Sequence, residues 1–87
     1  MSAWFVYLLE CVDGSVYTGV ATDVDRRYAE HCAGRGARYT RSHPPARLLA
    51  AFEHPDRSCA LKAEAAIKKL PAARKRALAQ AQAKATA

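Results

Sequence analysis

Two short segments rich in aromatic and β-branched residues, Trp4 to Cys11 and Val16 to Val20, flank the pair Asp13-Gly14. Alternation of this kind around a turn dipeptide predicts a β-hairpin at the start of the chain. Its register depends on the turn. A two-residue Asp13-Gly14 turn pairs Val12 with Ser15 and sends Tyr7 and Tyr17 to opposite faces, whereas a three-residue loop, Asp13 to Ser15, pairs Val12 with Val16 and puts both on one face. The sequence leaves these two registers open. With 87 residues there is room for one small domain, and 20 of its hydrophobic residues are alanines that bury little area each. Any active site has to be assembled from few side chains.

Beyond the hairpin, Thr22 stands as an N-cap before Asp23, Val24 and Asp25, and Gly34 offers a left-handed stop, which predicts a helix from about Asp23 to Ala33. Gly34 to Pro45 holds two glycines, two prolines and three arginines with little periodicity, a basic loop with one short turn around Ala37 to Thr40. Arg47 to Glu53 suits a third strand. His54-Pro55-Asp56 ends it, and Asp56 or Ser58 caps a second helix running to about Leu70. Pro71 then opens a further helix, Ala72 to about Gln82, whose only large apolar residue is Leu78, followed by a frayed tail. No internal repeat and no P-loop, dinucleotide or metalloprotease fingerprint occurs.

The net charge is +6, but its distribution says more. Six arginines and one acid lie between Arg26 and Arg47, six Lys or Arg and no acid follow Glu64, and the first 25 residues carry four acids and no base. Such polarity points to a positive surface for a polyanion, most commonly nucleic acid. Cys11, Cys32 and Cys59 are odd in number and widely spaced, fitting neither a disulfide framework nor a zinc pair. Reduced thiols, no secretory leader and no apolar stretch near 18 residues lead to the expectation of a soluble cytoplasmic protein without a membrane partner.

Two helices carry polar residues where apolar ones belong. On the first, the stripe Val24, Arg27, Tyr28 and His31 places an arginine and a histidine four residues apart on the buried face. On the second, Ala60, Leu61, Glu64, Ile67 and Lys68 set a carboxylate among apolar neighbours. A carboxylate so placed needs a partner or a metal. Either Arg27 and Glu64 form a salt bridge between the helices, or Arg27 clamps a phosphate while Glu64 holds a divalent cation. His43 and His54 flank prolines and are most simply solvated, and Cys32 beside His31 points some 100° away from it, poor geometry for a nucleophile and its base.

The order Phe5-Val6-Tyr7, nine residues, Tyr17-Thr18-Gly19, then Thr22 to Arg27 with His31, and later Ala60 to Ile67 around Glu64, resembles the GIY-YIG nuclease family. In particular it is similar to the small stand-alone bacterial members. Phe5 stands where the first motif has Gly, Thr18 where the second usually has Ile or Val, and no Asn follows the glutamate. The resemblance covers about Trp4 to Leu70. It implies an α+β fold with a three-stranded antiparallel sheet flanked by helices, residues 1–70 forming the nuclease domain and 71–87 a basic Ala-rich helix and tail. It also requires the three-residue hairpin loop or a bulge, so that both tyrosines share a face. Tyr7 and Tyr17 match the motif tyrosines, Arg27 the arginine of the first helix, Glu64 the metal-binding glutamate, and His31 a histidine of some relatives.

In function, the resemblance implies a metal-dependent DNA endonuclease acting in repair or recombination, with RNA left open as a substrate. Glu64 would carry Mg²⁺ or Mn²⁺, Arg27 would hold the scissile phosphate, and Tyr17, assisted by Tyr7 or His31, would deprotonate the attacking water. A tyrosine in that role needs its pKa of ~10 pulled down, so the identity of the base stays open. Arg35, Arg38, Arg41, Lys68 and Lys69 would contact backbone phosphates, which favours branched, flap or single-stranded targets over a base sequence. A weakly catalytic binding module on the same fold, or a subunit that needs a protein partner for targeting, are the alternatives.

Overall fold

The computed structural model describes residues 3–86. Strands β1 (Trp4–Cys11), β2 (Val16–Ala21) and β3 (Pro45–His54) form one antiparallel sheet in the order β2-β1-β3. Helix α1 (Val24–Cys32) and the short α2 (Arg38–Ser42) lie between β2 and β3 in the chain. Helices α3 (Arg57–Lys68) and α4 (Ala72–Thr86) follow β3. The architecture is the expected α+β one, a three-stranded antiparallel sheet flanked by helices.

The central strand carries the most apolar run of the chain, and Val6, Tyr7, Leu8 and Leu9 are all buried. Each fully buried aliphatic side chain there contributes about 1.5–3 kcal/mol. On one face Leu8 packs with Val16, Ala50 and Ala79, backed by Phe52, Ile67 and Ala72, so α3 and α4 close this side. The other face carries Tyr7 and Tyr17 beneath α1 and α2. Helix α4 is fastened at the hairpin end by polar groups. Lys75 donates to the Val16 carbonyl at 3.0 Å, and the Arg76 guanidinium bonds Glu10 at 3.1 Å.

Boundaries differ from expectation in small, explicable ways. The cap of α1 is Asp23 rather than Thr22, because its carboxylate accepts the Arg26 N–H at 3.0 Å from extended backbone. Asp56 caps α3 in the same way through the Cys59 N–H, and Ser58 lies inside the helix. Strand β3 begins at Pro45, which pairs with Cys11. Proline is tolerated as the first residue of a strand, where its missing N–H breaks no interior ladder bond. The short turn in the basic loop is α2, and α4 continues past Gln82 to Thr86, while Ala87 lies outside the described residues.

Candidate active site

The hairpin register decides whether a site exists at all. Tyr7 pairs with Gly19 and Leu9 with Tyr17, so odd-numbered residues of both strands share a face. The loop has three residues, Val12 to Gly14, one position earlier than Asp13 to Ser15. Cys11 and Ser15 close it with a 2.9 Å bond, and Gly14 takes φ +86°, a conformation that L side chains resist. The parity matches the three-residue alternative, and the Tyr7 and Tyr17 ring centroids come within 6.3 Å.

Gly19 opposite Tyr7 has a second function, since the tyrosine ring lies across its backbone. A Cβ there would sit 2.5 Å from the Tyr7 hydroxyl oxygen. The phenol thereby reaches over the strand to His31 of α1, whose Nε2 is 2.8 Å from it. His31 also contacts the Tyr17 ring, with centroids 5.2 Å apart. Its other nitrogen, Nδ1, meets the Thr40 hydroxyl of α2 at 2.6 Å, and that hydroxyl donates to the Ala37 carbonyl at 2.9 Å. Tyr7, His31 and Thr40 are each only 1% exposed.

Arg27 lies one turn before His31 on α1 and donates to Glu30 at 3.0 Å. Glu64 of α3 is half-buried and lies 3.4 Å from Lys68 on its own helix. The salt bridge considered between Arg27 and Glu64 is therefore replaced by two pairs within the helices, because each residue has an opposite charge three or four positions on. Both nevertheless act on Tyr7. Burial pushes the Tyr7 phenol up to about 12, the neighbouring Tyr17 adds to the rise, Arg27 pulls it back, and Glu64 raises it further. His31 is lowered, first by burial and then by the Arg27 charge. The Glu30 carboxylate raises Arg27, keeping it cationic. Tyr7 is thus harder to ionise than a free phenol, since desolvation outweighs the nearby cation.

Of the expected residues, the fold thus gathers Tyr7, Tyr17, His31 and Arg27, and brings Glu64 within electrostatic reach. Arg35, Arg38, Arg41 and Lys69 are exposed, the three arginines flanking the segment that carries Thr40. Lys68 is also exposed but is paired with Glu64. Three contributors carried no recognisable signal in the sequence. Thr40 sits in a stretch without periodicity. Tyr39 stacks between Tyr17 and His43, at 5.9 and 4.2 Å, and His43 pairs with Asp13 at 2.6 Å rather than being solvated.

The pattern of the GIY-YIG catalytic domain matches residues 3–77, most of the chain. The chain belongs to the GIY-YIG family, a nuclease family, and within it to the small bacterial UPF0213 proteins. It is 55% identical over 76 residues to a UPF0213 protein of Cupriavidus necator, covering 87% of this chain and 83% of that one. A UPF0213 protein of Xanthomonas axonopodis pv. citri is 50% identical over 82 residues, covering 94% and 80%. The solution NMR structure of the UPF0213 protein BH0048 from Bacillus halodurans matches with a TM-score of 0.55 at 45% identity, over 90% of this chain and 83% of that one. That of the protein EF2693 from E. faecalis matches at 0.62 and 38%, over 93% and 86%. Among the described residues no helix is long and apolar enough to cross a membrane.

Proposed function

We propose that the protein is a metal-dependent endonuclease that hydrolyses phosphodiester bonds in DNA and selects its target by shape rather than base sequence. The observation that carries this reading is the convergence of two tyrosines, a buried histidine and a cationic arginine on one sheet face, with Glu64 near enough to act on Tyr7.

Phosphodiester hydrolysis needs an oriented water, a positive clamp on the phosphoryl oxygens and help for the departing alkoxide. Arg27, about one third exposed at 35%, supplies a planar fork suited to two phosphate oxygens. Tyr17 is the more accessible of the two motif tyrosines and orients the water. The Tyr7–His31 pair behind it takes the water's proton as the new O–P bond forms. The bond from phosphorus to one sugar oxygen breaks, and that oxygen leaves as an alkoxide that is then protonated.

Glu64 would hold the metal ion. A lone half-buried carboxylate suits Mg²⁺ or Mn²⁺, which keep several waters and take further oxygens from the substrate phosphate. It does not suit a closed zinc site, and among the described residues no three His, Cys, Asp or Glu come together. When bound, the ion supplies neutralisation of the leaving oxygen. The Glu64–Lys68 contact at 3.4 Å is a weak i,i+4 pair, worth about 0.3–0.5 kcal/mol, that a metal readily displaces. The same pair is what favours the second reading, a nucleic-acid binding module without catalysis. Arg35, Arg38, Arg41 and Lys69 would meet backbone phosphates in either case.

Purified wild type and Glu64→Ala incubated with labelled single-stranded, duplex, flap and four-way-junction DNA, with Mg²⁺, Mn²⁺ or EDTA, separate the two. Cleavage by the wild type that EDTA abolishes and the substitution lowers at least about a hundredfold is expected. If neither protein cuts and both bind equally, the binding module is the better reading.

A further inference from the structure

Thr40 is buried and polar, and none of the roles assigned to the site uses it. We propose that Thr40 is a positioning residue that fixes His31 as the Nδ1–H tautomer, so that the bare Nε2 faces Tyr7 and receives its proton during the hydrolysis assigned to this site. The inference deepens that functional reading and depends on it only for the last clause.

The tautomer follows from counting protons. A hydroxyl has one hydrogen to give, and that of Thr40 goes to the Ala37 carbonyl at 2.9 Å. Toward His31 Nδ1, 2.6 Å away, the Thr40 oxygen can then only accept, so Nδ1 carries the hydrogen. Nε2 is left with a lone pair 2.8 Å from the Tyr7 hydroxyl, which donates to it. The opposite tautomer would turn the Thr40 hydroxyl onto Nδ1, leave the half-buried Ala37 carbonyl with only the longer bond from the Arg41 N–H at 3.3 Å, and gain only a 3.4 Å approach of the Ala37 N–H. That exchange loses a good bond for one at the limit of the range.

The loop backbone reinforces the arrangement. A Cβ at Gly36 would run into His31 Nδ1 and Cγ, so the segment Gly36 to Thr40 is closed against the far edge of the ring. The groups facing His31 are Arg27 and Glu30 from its own helix, Tyr7 and Tyr17 from the sheet, and Thr40 from α2. None of the sheet or α2 groups is a carboxylate that would hold the ring as a cation in the resting state. The proton step is therefore a transfer within one hydrogen bond. As the attacking water gives its proton to the Tyr7 oxygen, the Tyr7 O–H bond breaks and the His31 Nε2–H bond forms, so that no free phenolate is released. Serine proteases use a buried partner on the far nitrogen of a histidine for the same purpose.

Long-range ¹H–¹⁵N correlation of the histidine side chains in the free protein reads the tautomer directly, with His43 and His54 as internal references. The wild type should show the Nδ1–H pattern for His31, Thr40→Ser should retain it, and Thr40→Val should shift the population toward Nε2–H. In single-turnover cleavage Thr40→Val should lower the rate about ten- to a hundredfold, move the pH profile to the alkaline side and leave DNA affinity unchanged, and Thr40→Ser should restore both. A wild-type His31 in the Nε2–H form overturns the proposal even if Thr40→Val fails to fold. So does an unaltered tautomer in a folded Thr40→Val. Absence of cleavage by any variant alongside the expected spectra would instead remove the nuclease reading and leave Thr40's hold on the ring standing.

Discussion

Thr18 and Gly19 are neighbours on β2 that face opposite sides of the sheet, and their demands differ accordingly. Gly19 faces the site and is set by the tyrosine ring lying across it. Thr18 faces the apolar side beside Leu8, and its hydroxyl oxygen is the buried side-chain polar atom left without a partner among the described residues. A buried hydroxyl without a partner costs on the order of 1–3 kcal/mol, and valine has nearly the same shape. Thr18→Val should therefore raise stability by about 1 kcal/mol, a gain of about 4–8 °C in Tm for a domain of this size, read by urea and thermal unfolding. An unchanged or lowered midpoint would show that the hydroxyl is satisfied in solution. The polar anomalies on the two helices were legible at this scale, because a charged or imidazole side chain on an apolar stripe is visible from spacing alone. Their partners were not. Arg27 and Glu64 each found an opposite charge on their own helix, where the backbone already holds it near.

At the scale of elements, the hairpin loop and α2 are tied together by Asp13 and His43, thirty residues apart in sequence. The Ser15 hydroxyl and N–H, and then His43, hold the Asp13 carboxyl down to about 2. Its folded pKa thus lies below the ordinary value of 3.8, so the unfolded chain binds the proton more readily. The stability this contributes is complete above the unfolded value and disappears as pH falls through about 2. The stability difference between wild type and Asp13→Asn should therefore be constant above about pH 5 and shrink between about pH 4 and 2, measured by urea unfolding across that range. A difference that stays level down to the lowest pH would show that neither Ser15 nor His43 holds the Asp13 carboxylate in solution. Helix α4 makes the complementary case. Its sequence reads as a basic Ala-rich helix with Leu78 as its one large apolar residue, yet Lys75 is buried on the Val16 carbonyl and its pKa is lowered by burial. A lysine whose long stem covers apolar surface looks identical in sequence to one that does not.

For the molecule as a whole, charge placement is the functional statement. The arginines at 35, 38 and 41 are exposed around the segment that grips His31, so the proposed polyanion contacts and the proposed site share one loop. If each meets a phosphate, replacing all three with Ala should lower the slope of log K against log salt for duplex DNA by about 3, with little change in which sequences are bound. Fluorescence anisotropy at several salt concentrations measures this, and an unaltered slope would place the polyanion elsewhere. The sequence by itself determined the order of strands and helices, the left-handed stop at Gly34, the narrowing of the α3 cap to Asp56 or Ser58, the basic loop, and the identity of Tyr7, Tyr17, Arg27, His31 and Glu64 as candidates. All of these rest on periodicity, on turn chemistry or on short motifs in a fixed order, which leave their mark within a few tens of residues. Only the tertiary structure decided the parity that puts both tyrosines on one face, the pairing of His31 with Tyr7 across 24 residues and with Thr40 across 9, and the burial of Lys75. Those choices depend on which loop length closes a turn and which distant surfaces pack. The chain leaves them open until the sheet and helices meet.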